Sequence, residues 1–208
     1  MNRDVNRMQN NKLTIKHKIA IGLAICICLT IFSSYIFGVR FTALQAAQVR
    51  LFYDDDMLFY NRVETGQINV FFYENKDRFL TIIAERIYPF PLWRSRASFY
   101  CDKFNDNLRL AGWCSYSNRY AGITAIPVQS FSNSVSYINM GQGNNFIEKE
   151  ISYGETVIFT WDKMLGWHEL YGIAYANDGS PVYELGYEII NNSVKVNELK
   201  WLPYNPNR

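Results

Sequence analysis

The chain has 208 residues, 49% hydrophobic and 16% aromatic, with a formal net charge of +2. So much apolar and aromatic content excludes a disordered chain. Residues 41–208 carry 15 Lys plus Arg against 18 Asp plus Glu, and this mildly acidic body has no basic footprint for nucleic acid.

The first 18 residues form a basic tail: Arg3, Arg7, Lys12, Lys16 and Lys18 face only Asp4. The next 21 residues, Ile19–Val39, are uncharged. As a helix at about 1.5 Å per residue they extend roughly 31 Å, enough to cross a hydrocarbon core of about 30 Å. A cleaved signal has a shorter apolar region, about 7–15 residues, ending in small residues. Here the run is longer, and "FTALQAAQ" contains no clean A-x-A. The expectation is a retained single-pass transmembrane helix. The basic flank stays cytoplasmic, so the amino terminus is placed inside and the rest outside. Ala20, Ala24 and Cys28 make a small-residue stripe on which a homodimer could pair. The chain thus divides into a tail (1–18), an anchor (19–39) and an exported domain (40–208) in the inner or plasma membrane, the domain periplasmic or extracellular. The basic tail, single anchor and absence of a glycosylated stalk give it a bacterial look.

Within the domain, "QVRLFYDDDMLFYNRV" reads as a hairpin turning at Asp54–Asp56, a solvated turn rather than a cation loop. Thr65 is placed to cap a helix over 66–87. There Ile68, Phe71, Phe72, Phe79, Ile82, Ile83 and Ile87 recur at helical spacing, opposite Glu74, Lys76, Asp77, Arg78 and Glu85. Pro89 and Pro91 stop it. "YPFPLWRSRASFY" follows as an irregular aromatic–arginine stretch, and short strands are expected near 122–128 and 134–140. The last third alternates as strands do. "ETVIFTW" is one, 171–175 and 183–189 form a hairpin turning at "NDGSP", and Asn191–Asn192 turn the chain into "SVKVNELKW". The fold class expected is α+β, an antiparallel sheet packed on the one main helix.

Cys101 and Cys114 are the cysteines outside the anchor. In an oxidising compartment they read as one disulfide, a cross-link adding about 3 kcal/mol in the chain-entropy model. A zinc half-site would need further ligands, and the domain has a single histidine, His168. In "GWHELYG" the second histidine of H-E-x-x-H is replaced by Gly172. On a strand, His168 and Glu169 would point to opposite faces. "NMGQGNN" reads as a loop and not a phosphate cradle, and G-x-S-x-G does not occur. No catalytic residue, cofactor or metal is therefore assigned.

What stands out is binding chemistry. Tyr88, Phe90, Trp93, Arg94 and Arg96 combine the residue types that dominate interface energetics, and they are taken as a partner-binding surface. In its organisation the chain resembles accessory subunits of secretion and pilus machines, immunity proteins against periplasm-directed toxins, and membrane partners of transmembrane regulators. The expected function is a membrane-tethered protein-interaction domain such as an immunity protein or an accessory subunit of an envelope assembly. The alternatives are a tethered periplasmic hydrolase using carboxylates, or the membrane partner of a transmembrane regulator.

Overall fold

A computed structural model describes the backbone of residues 2–53, 56–190 and 193–206. Within these it describes the side chains of 15–32, 35–51, 56–187 and 199–206. The chain opens with one long helix, α1 (Asn2–Ile36). Its segment Ile15–Phe32 is long and apolar enough to cross a membrane, and none of it is buried against the rest of the protein. That is compatible with a transmembrane anchor or a signal sequence.

After α1 come β1 (Val39–Arg40), the short helix α2 (Ala43–Gln48) and a 3₁₀ turn over Val49–Tyr53. Thr42 caps α2, its hydroxyl accepting the Gln45 N–H at 3.2 Å. The expected hairpin is therefore absent, since its first arm is helical. Asp54 and Asp55 of its turn lie outside the described residues. The second arm is β2 (Leu58–Glu64).

The expected helix over 66–87 is instead two strands, β3 (Ile68–Glu74) and β4 (Arg78–Ile87), in an antiparallel hairpin. Thr65 caps a hairpin turn, its hydroxyl donating to the Ile68 carbonyl at 2.8 Å. The charged residues assigned to a polar helix face are in part the β3–β4 turn. There the Asn75 carboxamide oxygen accepts the N–H groups of Asp77 and Arg78. Both faces of these strands are covered, so apolar residues occupy nearly every position and mimic helical spacing. Phe71, Tyr73, Leu80, Ile82 and Ala84 meet Ala43, Ala46 and Ala47 of α2. Ile68, Val70, Phe72 and Ile83 face the other way.

β5 (Leu92–Asp102) is also regular where an irregular stretch was expected. A turn with a cis Tyr88–Pro89 bond returns the chain, and β5 then pairs with β4 along its length and with β1 at Trp93 and Arg94. The first sheet has the order β1-β5-β4-β3-β2.

The second sheet is built on β8 (Gly122–Ser130), paired by β6 (Leu108–Leu110), β7 (Cys114–Ser117) and β11 (Thr156–Trp161). The third has the order β10-β9-β12-β13-β14, from β9 (Tyr137–Gln142), β10 (Asn145–Glu150), β12 (Tyr171–Tyr175), β13 (Pro181–Ile190) and β14 (Ser193–Pro203). The strands near 122–128 and 134–140 and the carboxyl-terminal hairpin are found as the sequence suggests. Asn191–Asn192 lie outside the described residues. "ETVIFTW" forms β11 but leaves the meander for the second sheet, where it pairs with β8.

The second sheet is the middle layer. Ile123 and Ala125 of β8 join the cluster shared with the first sheet, while Ile126 and Val128 join the cluster shared with the third. The third sheet thus packs on a sheet rather than on a helix, and the domain is mostly β. Gly112 lies where the chain passes over the first sheet. At φ +151°, a Cβ there would sit 2.7 Å from the Thr81 hydroxyl and 3.1 Å from the Phe72 ring, so only glycine fits. "NMGQGNN" ends β9 and turns into β10, with Asn145 opposite Gln142 and Gly143 at φ +57°. It is the tip of a two-residue hairpin.

Candidate interaction site

The expected binding residues lie around the returning turn between β4 and β5, but the pleat of β5 divides them. Trp93 pairs with Arg86 and Arg40 and packs half-buried against the cluster under α2. Arg94, paired with Glu85 and Val39, takes the opposite face, toward the second sheet. The bulge in β5 after Ser95 then brings Arg96 to the same carboxylate. Trp93 is therefore a packing residue, while Arg94 and Arg96 belong to a rim where the first and second sheets meet.

Glu85 organises that rim. It is 7% exposed, forms an ion pair with Arg96, and accepts Nδ2 of Asn118 at 2.7 Å and the Tyr116 hydroxyl at 3.4 Å. Burial alone would raise its pKa. The hydrogen bonds from Arg96 and Asn118, with the charges of Arg96 and Arg94, outweigh burial and hold the carboxyl below its ordinary value. The Tyr116 hydroxyl moves the other way, pushed up by burial and by Glu85.

Asn118 belongs to the turn joining β7 to β8. Its carboxamide oxygen accepts the N–H groups of Tyr120 and Ala121 at 2.8 and 2.9 Å. One side chain thus shapes the turn and ties it to β4. The turn in turn holds Tyr120 against Tyr88, with ring centroids 5.3 Å apart, and the Arg119 guanidinium lies over Tyr120 at 4.5 Å. Tyr88 and Phe90 are 61% and 57% exposed. Arg94 Nε is buried without a hydrogen-bond partner among the described residues. Around one satisfied carboxylate, then, stand Arg94, Arg96 and Arg119 with three exposed aromatic rings, a cationic, aromatic surface.

Sequence reasoning missed Glu85, Tyr116, Asn118 and Tyr120. The signal was in the turn chemistry of "SNRYAG" and in the symmetric placement of Glu85 and Arg94 about "YPFP". Reading 66–87 as a helix hid the second of these.

Cys101 and Cys114 are free thiols, contrary to the expected disulfide. Cys101 pairs with Phe79 in the first sheet and Cys114 with Ala125 in the second, so each is held in a separate sheet. Burial pushes the Cys114 thiol up to about 12, which keeps it protonated and inert. His168 lies in a 3₁₀ turn, Trp167–Glu169, and not at a strand start. Glu169 there closes the turn by accepting the Gly166 N–H at 3.2 Å.

No protein-family model, curated protein or solved structure matches this chain.

Proposed function

We propose that the chain is a single-pass membrane protein, amino terminus inside, whose exported domain binds a protein partner through the rim of Tyr88, Phe90, Arg94, Arg96, Arg119 and Tyr120. The observation that carries this reading is the anchoring of the rim. Asn118 shapes the turn before β8 and is tied through Glu85 to β4 and Arg96. Tyr120 of that turn stands against Tyr88, so rings and guanidinium groups are held in place before any partner arrives. A preformed surface loses less conformational entropy on binding, and Arg and Tyr are the residue types enriched in interface hot spots. Tethering adds to this by raising the effective concentration of neighbours in the same membrane, so a modest interface suffices. Immunity proteins and accessory subunits of envelope assemblies work in this setting.

A carboxylate hydrolase is the weaker reading. Its general acid needs a raised pKa, whereas the carboxylates displaced among the described residues, Glu85 and Asp178, are both lowered.

The test is cross-linking in cells with a membrane-impermeant reagent, followed by identification of the captured protein. Arg119→Ala and Tyr88→Ala, both at exposed positions, should each weaken binding of that protein by about tenfold or more, the scale of a hot-spot residue, with the melting temperature unchanged. Labelling of the domain without a reproducible partner would sink the binding role. Lack of labelling would sink the outward topology.

A further inference from the structure

A cavity of about 780 Å³ lies where the apolar helix meets the folded domain. The end of α1 supplies Thr30, Ile31 and Tyr35. Val39, Arg40 and Phe41 form one wall, α2 contributes Gln45 and Gln48, and Val49 and Leu92 complete the lining. Among the described residues Arg40 is its one charged residue and no carboxylate lines it. Such a lining suits a molecule with an apolar body and one anionic group.

Arg40 is held at this place. Its Nη1 donates to the carbonyls of Tyr35 and Val39 at 3.0 and 2.8 Å, and its guanidinium carbon stands 4.0 Å from the centre of the Tyr35 ring. The Tyr35 carbonyl belongs to the last turn of α1, where the helix dipole favours a cation. Both hydrogen bonds use a single nitrogen of a group with five N–H donors. A planar guanidinium fixed this way can meet a phosphate through its remaining edge. Beside it Phe37 and Phe41 are 79% and 73% exposed, just beyond Ile15–Phe32. Tyrosine, here Tyr35, is favoured at a membrane–water interface, and an arginine near a helix end reaches toward it.

We propose that this cavity holds one phospholipid of the outer leaflet, its phosphate on Arg40 and an acyl chain against Ile31, Val39, Val49 and Leu92. The inference rests on the anchor reading above. In that setting the cavity opens beside the end of the span, at the depth where headgroup and chain meet. The bound lipid joins α1 to α2 and to β5, and so fixes how the domain stands on the membrane.

The full chain is reconstituted into phosphatidylcholine vesicles containing a phospholipid with a diazirine on its acyl chain. After irradiation and digestion, labelled peptides are identified by mass spectrometry. Adducts are expected on 39–49 and at Leu92 as well as along Ile15–Phe32. Arg40→Gln should lower labelling of 39–49 by about tenfold, the scale of a lost charge-assisted contact. Leu92→Trp should lower it by taking the space beside β5 that the acyl chain would occupy. Both should leave labelling of the span unchanged. Either variant decides the matter if near-UV circular dichroism shows that the other does not fold. A labelled span with 39–49 blank, or equally labelled in both variants, overturns the lipid site and leaves the anchor standing. An unlabelled span overturns the anchor, and the lipid site with it.

Discussion

The centre of the first sheet and the third sheet differ in what covers them. β3 and β4 lie between α2 on one side and the second sheet on the other, so Phe71 and Phe72, adjacent in sequence, are both fully buried in different clusters. β12 has the second sheet on one side only. Gly172 and Ala174 point inward, and Tyr171, Ile173 and Tyr175 lie on the outer face. The same residue types therefore carry different energetic weight. An aromatic ring on β3 is surrounded, whereas one on β12 leans on a single neighbour.

The sharpest break of this contrast is Phe72→Ala. The ring is fully buried between two sheets and contacts the Tyr60 ring at 6.0 Å. Removing it leaves a void that the surrounding strands cannot close, and the expected loss is about 3–5 kcal/mol. Chemical denaturation of the detergent-solubilised chain, followed by tryptophan fluorescence, measures it. A loss under about 1 kcal/mol would mean that the first sheet is not covered on both sides.

The rim tests the boundary between the two regimes, because Glu85 is buried while its partner Arg96 is 37% exposed. Glu85→Gln removes the ion pair and weakens the bonds from Asn118 and Tyr116. Screening at the exposed side trims the effect to about 1.5–3 kcal/mol at neutral pH. The carboxyl has a lowered pKa in the folded state, so its stabilisation is fully present above the unfolded value of about 4.3. It is lost as pH falls through the lower folded value. The gap between wild type and variant, measured as melting temperature across pH, should therefore close on acidification. A gap that widened toward low pH would contradict the Glu85 pairing.

The same contrast explains what could be read from the sequence. The carboxyl-terminal hairpin was legible because one open face imposes strict alternation, as in Tyr171, Ile173 and Tyr175, and "NDGSP" supplies the turn. The β3–β4 hairpin was not, because burial on two faces erases the period-two signal and leaves a run that satisfies helical spacing. Lys76 and Asp77 of that turn, which Asn75 shapes, looked like part of a polar helix face. The candidate site was legible in part. Its arginines and tyrosines stood out by type, but the pleat that sends Trp93 away from Arg94 depends on strand register. Glu85 and Asn118, 33 residues apart, meet only through packing of the first sheet on the second. The apolar helix was the plainest feature because it depends on no tertiary partner.

The smallest expected effect lies on the open face. Tyr137 and Tyr175 pair across β9 and β12 and stack at 4.9 Å with an interplanar angle of 11°. Neither ring is enclosed, so Tyr175→Ala loses one stacking contact and a fraction of buried area without leaving a cavity. Such a pair is worth about 0.5–1.5 kcal/mol, and the variant should fall within that range, several-fold below Phe72→Ala. Tyr175→Phe keeps the ring and should recover nearly all of the loss. If Tyr175→Ala cost as much as Phe72→Ala, something would have to cover the outer face of the third sheet. A second copy or a bound partner would then be sought there, first by repeating the denaturation at several protein concentrations, since a covered face makes the midpoint rise with concentration.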